Sequence, residues 1–306
     1  MITLESVPCD LCASSDARPH LCVHDRMYGL PGEFQLVQCQ RCGLLYINPR
    51  PDAASIGAYY PDMDYHAFQP SDGLKARLVK WLRDGEAKAL LAELPSGACA
   101  LEIGCGTGDL LVALRERGAD VMGIEPNDAA ASVARTQRGL DVKTGILDAV
   151  QLAPAQFDLI LMKYALEHVH SPRATLTRIR QLLKPGGRAV FWVPNVASWD
   201  ARLFGACWRG LDAPRHLYIF TPDTVRQLVE KSGMRLIDVS YSPVPNDWAG
   251  SVEFWLRERG LSQRAAELFG VRNPLAMLAW LPISALAAVA RAAGRMRVVT
   301  VNPHAD

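Results

Sequence analysis

Three groups of residues in this chain have types and spacings that suit particular chemistry. Cys9 and Cys12 form one CxxC pair, and Cys39 and Cys42 form a second. Two intervening residues let both sulfurs of a tight turn face one ion. Two such turns complete a closed, tetrahedral thiolate site of the kind that holds a structural Zn²⁺. Neither pair opens a helix behind a strand, which argues against a thioredoxin-like redox role. The run ALEIGCGTGDLL at 100–111 sets Gly104, Gly106 and Gly108 at alternate positions between an apolar stretch and a helical one. A turn of that kind brings backbone amides close to a ligand. Further along, KYALEH ends in Glu167-His168, and LDAPRHLYIF contains Arg215-His216. An imidazole beside a carboxylate can take a proton near neutral pH. His168, oriented by Glu167, is therefore the first candidate base, with His216 the second; Tyr164 joins the catalytic candidates. Alternatively, His216 together with Arg215 is expected to hold an acceptor phosphate.

These residues need a scaffold, and the hydrophobic pattern supplies one. ALEIG, ADVMGIE, DVKTG, FDLILMKY and RAVFWVPN read as strands, the fourth nearly all apolar as a strand covered on both faces should be. Helical periodicity falls between them, in DLLVALRERG, DAAASVARTQRG and ATLTRIRQLL. TPDTVRQLVEKSG carries its own signals, with Thr221 as cap, Pro222 at the first helical position and Gly233 at the end. MRLIDVSYSP and MRVVTVN supply two last strands. Alternation of this kind predicts an α/β, doubly wound sheet whose ligands sit at the carboxyl ends of the strands. The organisation expected is a zinc-binding module at 1–48, a helical linker or lid at 49–95 and a ligand-binding domain at 96–306, with a helical insertion at about 246–295.

The glycine turn departs from a dinucleotide fingerprint, because Asp109 stands where a further glycine would be wanted. A carboxylate there satisfies the helix N-terminus and would repel a pyrophosphate, whereas a cationic tail would be accepted. Glu102 adds a second negative group. Glu102, Gly104, Gly106 and Gly108, as ExGxGxG, resemble motif I of the class I S-adenosylmethionine-dependent methyltransferases. The resemblance extends to Glu125, which falls where that family's acidic residue bonds both ribose hydroxyls, and to Leu147 and Asp148, in the loop bordering the adenine. Cys105, Pro126 and Lys163 complete the cofactor contacts it implies. Glu167 and His168 are similar to the Glu-His pair of sugar C-methyltransferases that carry an N-terminal four-cysteine zinc module. The resemblance implies a Rossmann-like seven-stranded sheet ordered 3-2-1-4-5-7-6 with the seventh strand antiparallel, and a small zinc-ribbon-like module. It implies S-adenosylmethionine and structural Zn²⁺ as cofactors. The acceptor would be a small molecule such as a sugar, sugar nucleotide or lipid-linked glycan, methylated on oxygen or carbon.

Composition separates this reading from its rivals. With 33 Lys+Arg against 32 Asp+Glu, a formal charge of +1 offers no global field for nucleic acid. A zinc-bearing RNA methyltransferase is further disfavoured because KYALEH stands where an Asn-Pro-Pro-Tyr type segment would be. A non-catalytic cofactor-binding scaffold is the third alternative. The N-terminal residues MITLESVPCD lack a basic and then apolar leader, so a cytoplasmic protein is expected. Residues 273–294 are strongly apolar but divided by Pro282, which predicts two short helices rather than a span. These are expected to be buried, to pair with a subunit, or to lie on a membrane where Arg291, Arg295 and Arg297 would meet anionic lipid. Tyr59, Tyr60 and Tyr65 are lid candidates, and Trp192, Trp199 and Trp208 could stack on an acceptor.

Overall fold

A computed structural model describes residues 2–61 and 73–303. Tyr65 lies outside the described residues. The N-terminal part contains β1 (Leu4–Glu5), β2 (Ala17–His24), β3 (Glu33–Cys39), β4 (Leu45–Ile47) and β5 (Arg50–Pro51), and then helix α1 (Leu74–Leu91). Next come β6 (Cys99–Ile103), α2 (Asp109–Arg115), β7 (Asp120–Glu125), α3 (Asp128–Arg138), β8 (Asp141–Thr144), β9 (Phe157–Lys163), α4 (Pro172–Leu182) and β10 (Leu183–Pro194). The C-terminal third adds α5 (Trp199–Phe204), β11 (Tyr218–Ile219), α6 (Pro222–Lys231), β12 (Arg235–Tyr241), α7 (Pro245–Glu258), α8 (Gln263–Glu267), α9 (Pro274–Val289) and β13 (Arg295–Val301).

Seven strands form the main sheet in the order β12-β13-β10-β9-β6-β7-β8. β6, β7, β8, β9 and β10 run parallel, and β13 enters antiparallel between β10 and β12. The order read from the sequence is thus the one found. Its centre is β9 and β10, whose residues Ile160, Leu161, Met162, Ala189 and Phe191 are buried under helices on both faces, as unbroken apolar runs require. α6 starts as read, with Thr221 and Thr224 in a reciprocal capping box and Pro222 in the first turn.

The cysteine region is a four-stranded antiparallel sheet, β11-β4-β3-β2. Its last strand comes from far along the chain: Tyr218 pairs Tyr46 and Ile219 pairs Leu45. One apolar core runs from Cys9, Leu11, Cys39 and Leu44 into Leu176, Ile179, Leu228 and Val229 of α4 and α6.

Residues 273–294 differ from expectation. They form one helix, α9, with Pro282 inside it, not two. Proline frees the carbonyl of the residue four before it. Here that residue is Leu278, on the exposed side of the helix at 64%. On the inner side Trp280 stacks on Trp248 of α7, ring centroids 5.4 Å apart, and holds the helix together past the proline.

Candidate functional site

The glycine turn joins β6 to α2 at the carboxyl end of the sheet. It is hinged on β7, because Gly104 and Cys105 both donate to the Ile124 carbonyl, at 2.8 and 3.2 Å. Gly104, Gly106 and Gly108 all have positive φ, at 75°, 54° and 78°. Their surroundings differ. A Cβ on Gly104 would lie 3.1 Å from that of Ala165, so this glycine lets the turn abut the loop after β9. A Cβ on Gly106 would meet nothing within 4 Å, and one on Gly108 would collide with Leu140. Gly106 therefore faces open space, while Gly108 lets α2 pack against the chain after α3.

Two carboxylates flank that space. Glu125, at the end of β7, accepts from the Gly106 amide at 2.7 Å and the Asn127 amide at 2.8 Å. Each oxygen keeps a second lone pair for a hydroxyl donor. Burial pushes its carboxyl up, against these two amides. Glu102 is 4% exposed, and its Oε2 has no partner among the described residues. Burial raises it to about 8, with the Lys163 ammonium acting the other way. An open backbone cradle, a fixed two-oxygen acceptor and an unsatisfied buried carboxyl together fit a nucleoside with a cationic tail. Asp109 differs from expectation: Arg83, at 2.9 Å, and Arg138 both pair with its Oδ1, so its charge is largely balanced within the fold. At the same rim Cys105 is buried, Leu147 is buried in a 3₁₀ turn, and Pro126 and Asp148 are exposed.

Lys163 lies on the α1 side. Its Nζ contacts both Glu86 oxygens at 2.8 Å and stands 5.2 Å from the centre of the Trp192 ring. Arg297 covers the same ring at 5.7 Å. These side chains, with Arg83, Val79 and Leu82, line an open cleft of about 510 Å³. Of the other tryptophans, Trp208 is buried and donates to Asp200 at 2.7 Å, while Trp199 is 36% exposed.

Behind the loop after β9 lies the second cluster. Glu167 has no exposed surface, and neither carboxyl oxygen has a hydrogen-bond partner among the described residues. Burial raises it to about 8. His216 Nδ1 is 2.8 Å from the Gly210 carbonyl, which can only accept, so the proton sits on Nδ1 and Nε2 keeps its lone pair. That Nε2 is 3.8 Å from Glu167 Oε1 and 3.9 Å from Asp212 Oδ2. His168 Nδ1 lies 3.1 Å from the Arg215 carbonyl and 2.9 Å from the Tyr60 hydroxyl, which leaves its Nε2 free as well. The two imidazoles meet edge to face at 4.6 Å. Burial, and then the neighbouring His216, push His168 down to about 3; burial also lowers His216. Both rings are therefore neutral near pH 7. Glu167, His168 and His216 each offer a ligand atom within 4.8 Å of the others, a two-histidine, one-carboxylate set that could also hold a divalent cation.

Tyr164 has φ of 54°, unusual for a side chain of its size, and the Arg295 guanidinium lies 4.5 Å from its ring centre. Arg295 is held in turn by both oxygens of Asp247 at 2.8 Å. Arg215, expected at an acceptor phosphate, is instead 3% exposed and committed to carboxylates. It contacts Asp25 at 2.7 and 3.0 Å and Asp212 at 2.6 Å, and donates to the Tyr59 carbonyl at 3.0 Å. Asp25 and Asp212 were missed in the sequence, where no local pattern marks them. Tyr59 is buried; Tyr60 is 41% exposed, with its hydroxyl on His168.

The four cysteines do converge. Cys9 and Cys42 sulfurs are 3.4 Å apart, Cys12 and Cys39 3.5 Å, and all four lie within 4.8 Å. A tetrahedron with metal–sulfur bonds of ~2.3 Å has edges of about 3.8 Å, which lies between the two short pairs and the 4.8 Å that bounds the set. Burial pushes the Cys9 thiol up; the backbone amides of Cys12 and Leu11 act against it, and at Cys39 burial is outweighed by the amides of Cys42 and Arg41, which favour the thiolate. The donor set fits Zn²⁺.

A methyltransferase domain model matches residues 78–239. The chain belongs to the methyltransferase family. Its curated relatives include a ubiquinone biosynthesis O-methyltransferase of Cereibacter sphaeroides, 36% identical over 175 residues, or 52% of this chain and 71% of the relative. Another of that name, from Azoarcus sp., is 32% identical over 170 residues, 50% of this chain and 72% of the relative. Among solved structures, the [4+2]-cyclase SpnF superposes with a TM-score of 0.56 at 18% identity, covering 84% of this chain and 98% of its own. A putative sarcosine dimethylglycine methyltransferase from Galdieria sulphuraria gives 0.51 at 14% identity, covering 74% and 86%. Those structural likenesses speak to fold; the family match and the sequence relatives carry the activity. This methyltransferase uses S-adenosylmethionine.

Proposed function

We propose that this methyltransferase methylates a hydroxyl of a small, anion-bearing acceptor of the sugar-nucleotide or lipid-linked-glycan class, with His216 as the base. The observation that carries the reading is the buried Glu167 carboxyl, unpartnered among the described residues, beside a His216 whose Nδ1 is anchored and whose Nε2 is free. The cofactor, when bound, supplies a methyl carbon activated by sulfonium. Glu102, Gly104, Cys105, Gly106, Gly108, Glu125, Pro126, Leu147 and Asp148 would hold it, with Glu125 on the ribose. His216 would take the hydroxyl proton as the methyl passes from the sulfonium to the acceptor oxygen and the demethylated cofactor is left behind; Asp212, 3.9 Å from Nε2 and kept ionised by His216 and Arg215 against its burial, would offset the imidazolium, with the Glu167 carboxyl beside the same nitrogen. His168 and the Tyr60 hydroxyl hold the ring pair in place, and Tyr164 closes the wall on the Arg295 side. Arg297, over Trp192, offers a cation to the acceptor's anion, Lys163 offsets Glu86 in the same wall, and Val79 and Leu82 offer apolar wall. The O-methyltransferase names of the sequence relatives support oxygen over carbon. In the cysteine module Cys9, Cys12, Cys39 and Cys42 would hold structural Zn²⁺.

The test is transfer of labelled methyl to fractionated nucleotide sugars and lipid-linked glycans by wild type, His216→Gln and Arg297→Ala. Methylation of a hydroxyl, lost in His216→Gln and weakened through KM in Arg297→Ala, is expected. Turnover of His216→Gln at the wild-type rate would remove His216 as base, and methylation of uncharged fractions alone would remove the anion.

A further inference from the structure

We propose that the outer face of α9 docks the protein on an anionic lipid surface. The helix, PLAMLAWLPISALAAV, has no charged side chain, and only Ser284 and Ala287 are fully buried. Leu275, Leu278, Leu286 and Val289 are 75%, 64%, 58% and 84% exposed. Their spacing puts them with Pro282 along one side of the helix. The turn leading in exposes Leu268 and Phe269 as well, at 63% and 50%. A continuous apolar face of this size is unusual on a soluble monomer. No helix of the described residues is long and apolar enough to cross a membrane, so a lipid-bound α9 would lie along the surface.

Charge selects the occupant. Arg272 and Arg291 bracket the helix, and both are exposed. Of the arginines expected to meet lipid, Arg295 is instead held by Asp247 and Arg297 covers Trp192, so Arg272 and Arg291 are the two that flank the face; residues 268–303 contain neither aspartate nor glutamate. Arg272 has one weak surface contact, Glu267 at 3.6 Å. If a second copy covered this face with α9 antiparallel, Arg272 of each would approach Arg291 of the other, and a parallel pairing would set Arg272 against Arg272. The helix provides no acid to offset either. Anionic headgroups offset both ends at once, while the leucines enter the boundary with the acyl chains. α9 is seated on α7 through Trp280 and Trp248, and α7 carries Asp247, which holds Arg295 over Tyr164. The docking face is thus one helix away from the rim of the site.

Flotation of the full chain with phosphatidylcholine vesicles, with and without phosphatidylglycerol, tests this without cofactor or acceptor, so its outcome is separate from the function proposed above. Wild type is expected to float with the anionic vesicles and to be released by salt. Leu278→Ser with Leu286→Ser should cut that binding about tenfold or more, and Arg272→Gln with Arg291→Gln should abolish the preference for anionic lipid. Retained binding of S-adenosylmethionine will show that the variants fold. Absence of vesicle binding would overturn the proposal, as would equal binding to neutral vesicles or a dimer in ultracentrifugation that Leu278→Ser dissolves.

Discussion

The two halves of the site are built differently. The cofactor mouth is local: Glu102 to Gly108 and Glu125 lie within 24 residues of one another, and their positions follow from two adjacent parallel strands and one turn. The Glu167–His168–His216 cluster is assembled from far-apart segments. His216 stands beside Arg215, which is clamped by Asp25 of the N-terminal region, and is followed by Tyr218–Ile219, which pair with Leu45–Tyr46 of the cysteine-bearing sheet. A backbone turn can be preorganised by its own strands. A histidine on a long loop needs support from elsewhere, and here the cysteine module supplies it. The two halves should therefore respond separately to perturbation, and each expectation below could break that separation.

Stripping the proposed Zn²⁺ from the four cysteines should have the largest effect. Structural zinc contributes folding free energy outright, and the β4–β11 pairing hangs on that module; we expect turnover to fall to background, while cofactor affinity in calorimetry falls far less. Equal loss of both would show a single cooperative unit. Next, His216→Ala should lower kcat by about 10²–10⁴, with cofactor Kd unchanged in the same calorimeter. Glu125→Ala should act the other way round, weakening S-adenosylmethionine by about 10–100-fold through the loss of charged hydrogen bonds; a loss of kcat at saturating cofactor would place Glu125 in the chemistry instead.

The smallest effect is on stability against pH. Glu102 has an ordinary carboxyl value of 4.5 when unfolded and about 8 when folded. The folded form then binds the proton more tightly, so the stabilising contribution is present at low pH and is lost as pH rises from 4.5 towards 8. Glu102→Gln removes that dependence. In thermal melts without cofactor it should raise Tm by several degrees at pH 8 and change little at pH 5. A uniform shift at both would contradict a buried, neutral Glu102.

The sheet, its strand order and the meeting of the glycine turn with Glu125 were legible in the sequence because each rests on short-range pattern: apolar strand runs, the glycine spacing, an acid at the next strand end. The cysteine quartet was legible for the same reason. Asp25 and Asp212 were not, because a buried ion pair between residues 25 and 215 leaves no periodicity to read. Without those partners in view, Arg215 reads as a free cation for an acceptor; in the fold Asp25 and Asp212 occupy it. Asp109 reads from sequence as a determinant of ligand choice because Arg83, far upstream, and Arg138, a helix away, leave no local sign that they share its charge. α9 was divided at Pro282 because the sequence does not show that Leu278 faces water and that Trp248 braces the far side.

Asp25→Asn tests the central claim most directly. The substitution keeps the shape, removes the charge that clamps Arg215, and lies outside both reacting centres. Steady-state kinetics with calorimetry of S-adenosylmethionine should show kcat reduced about tenfold or more with cofactor Kd unchanged. Unchanged kcat, or a parallel loss of cofactor affinity, would contradict the account.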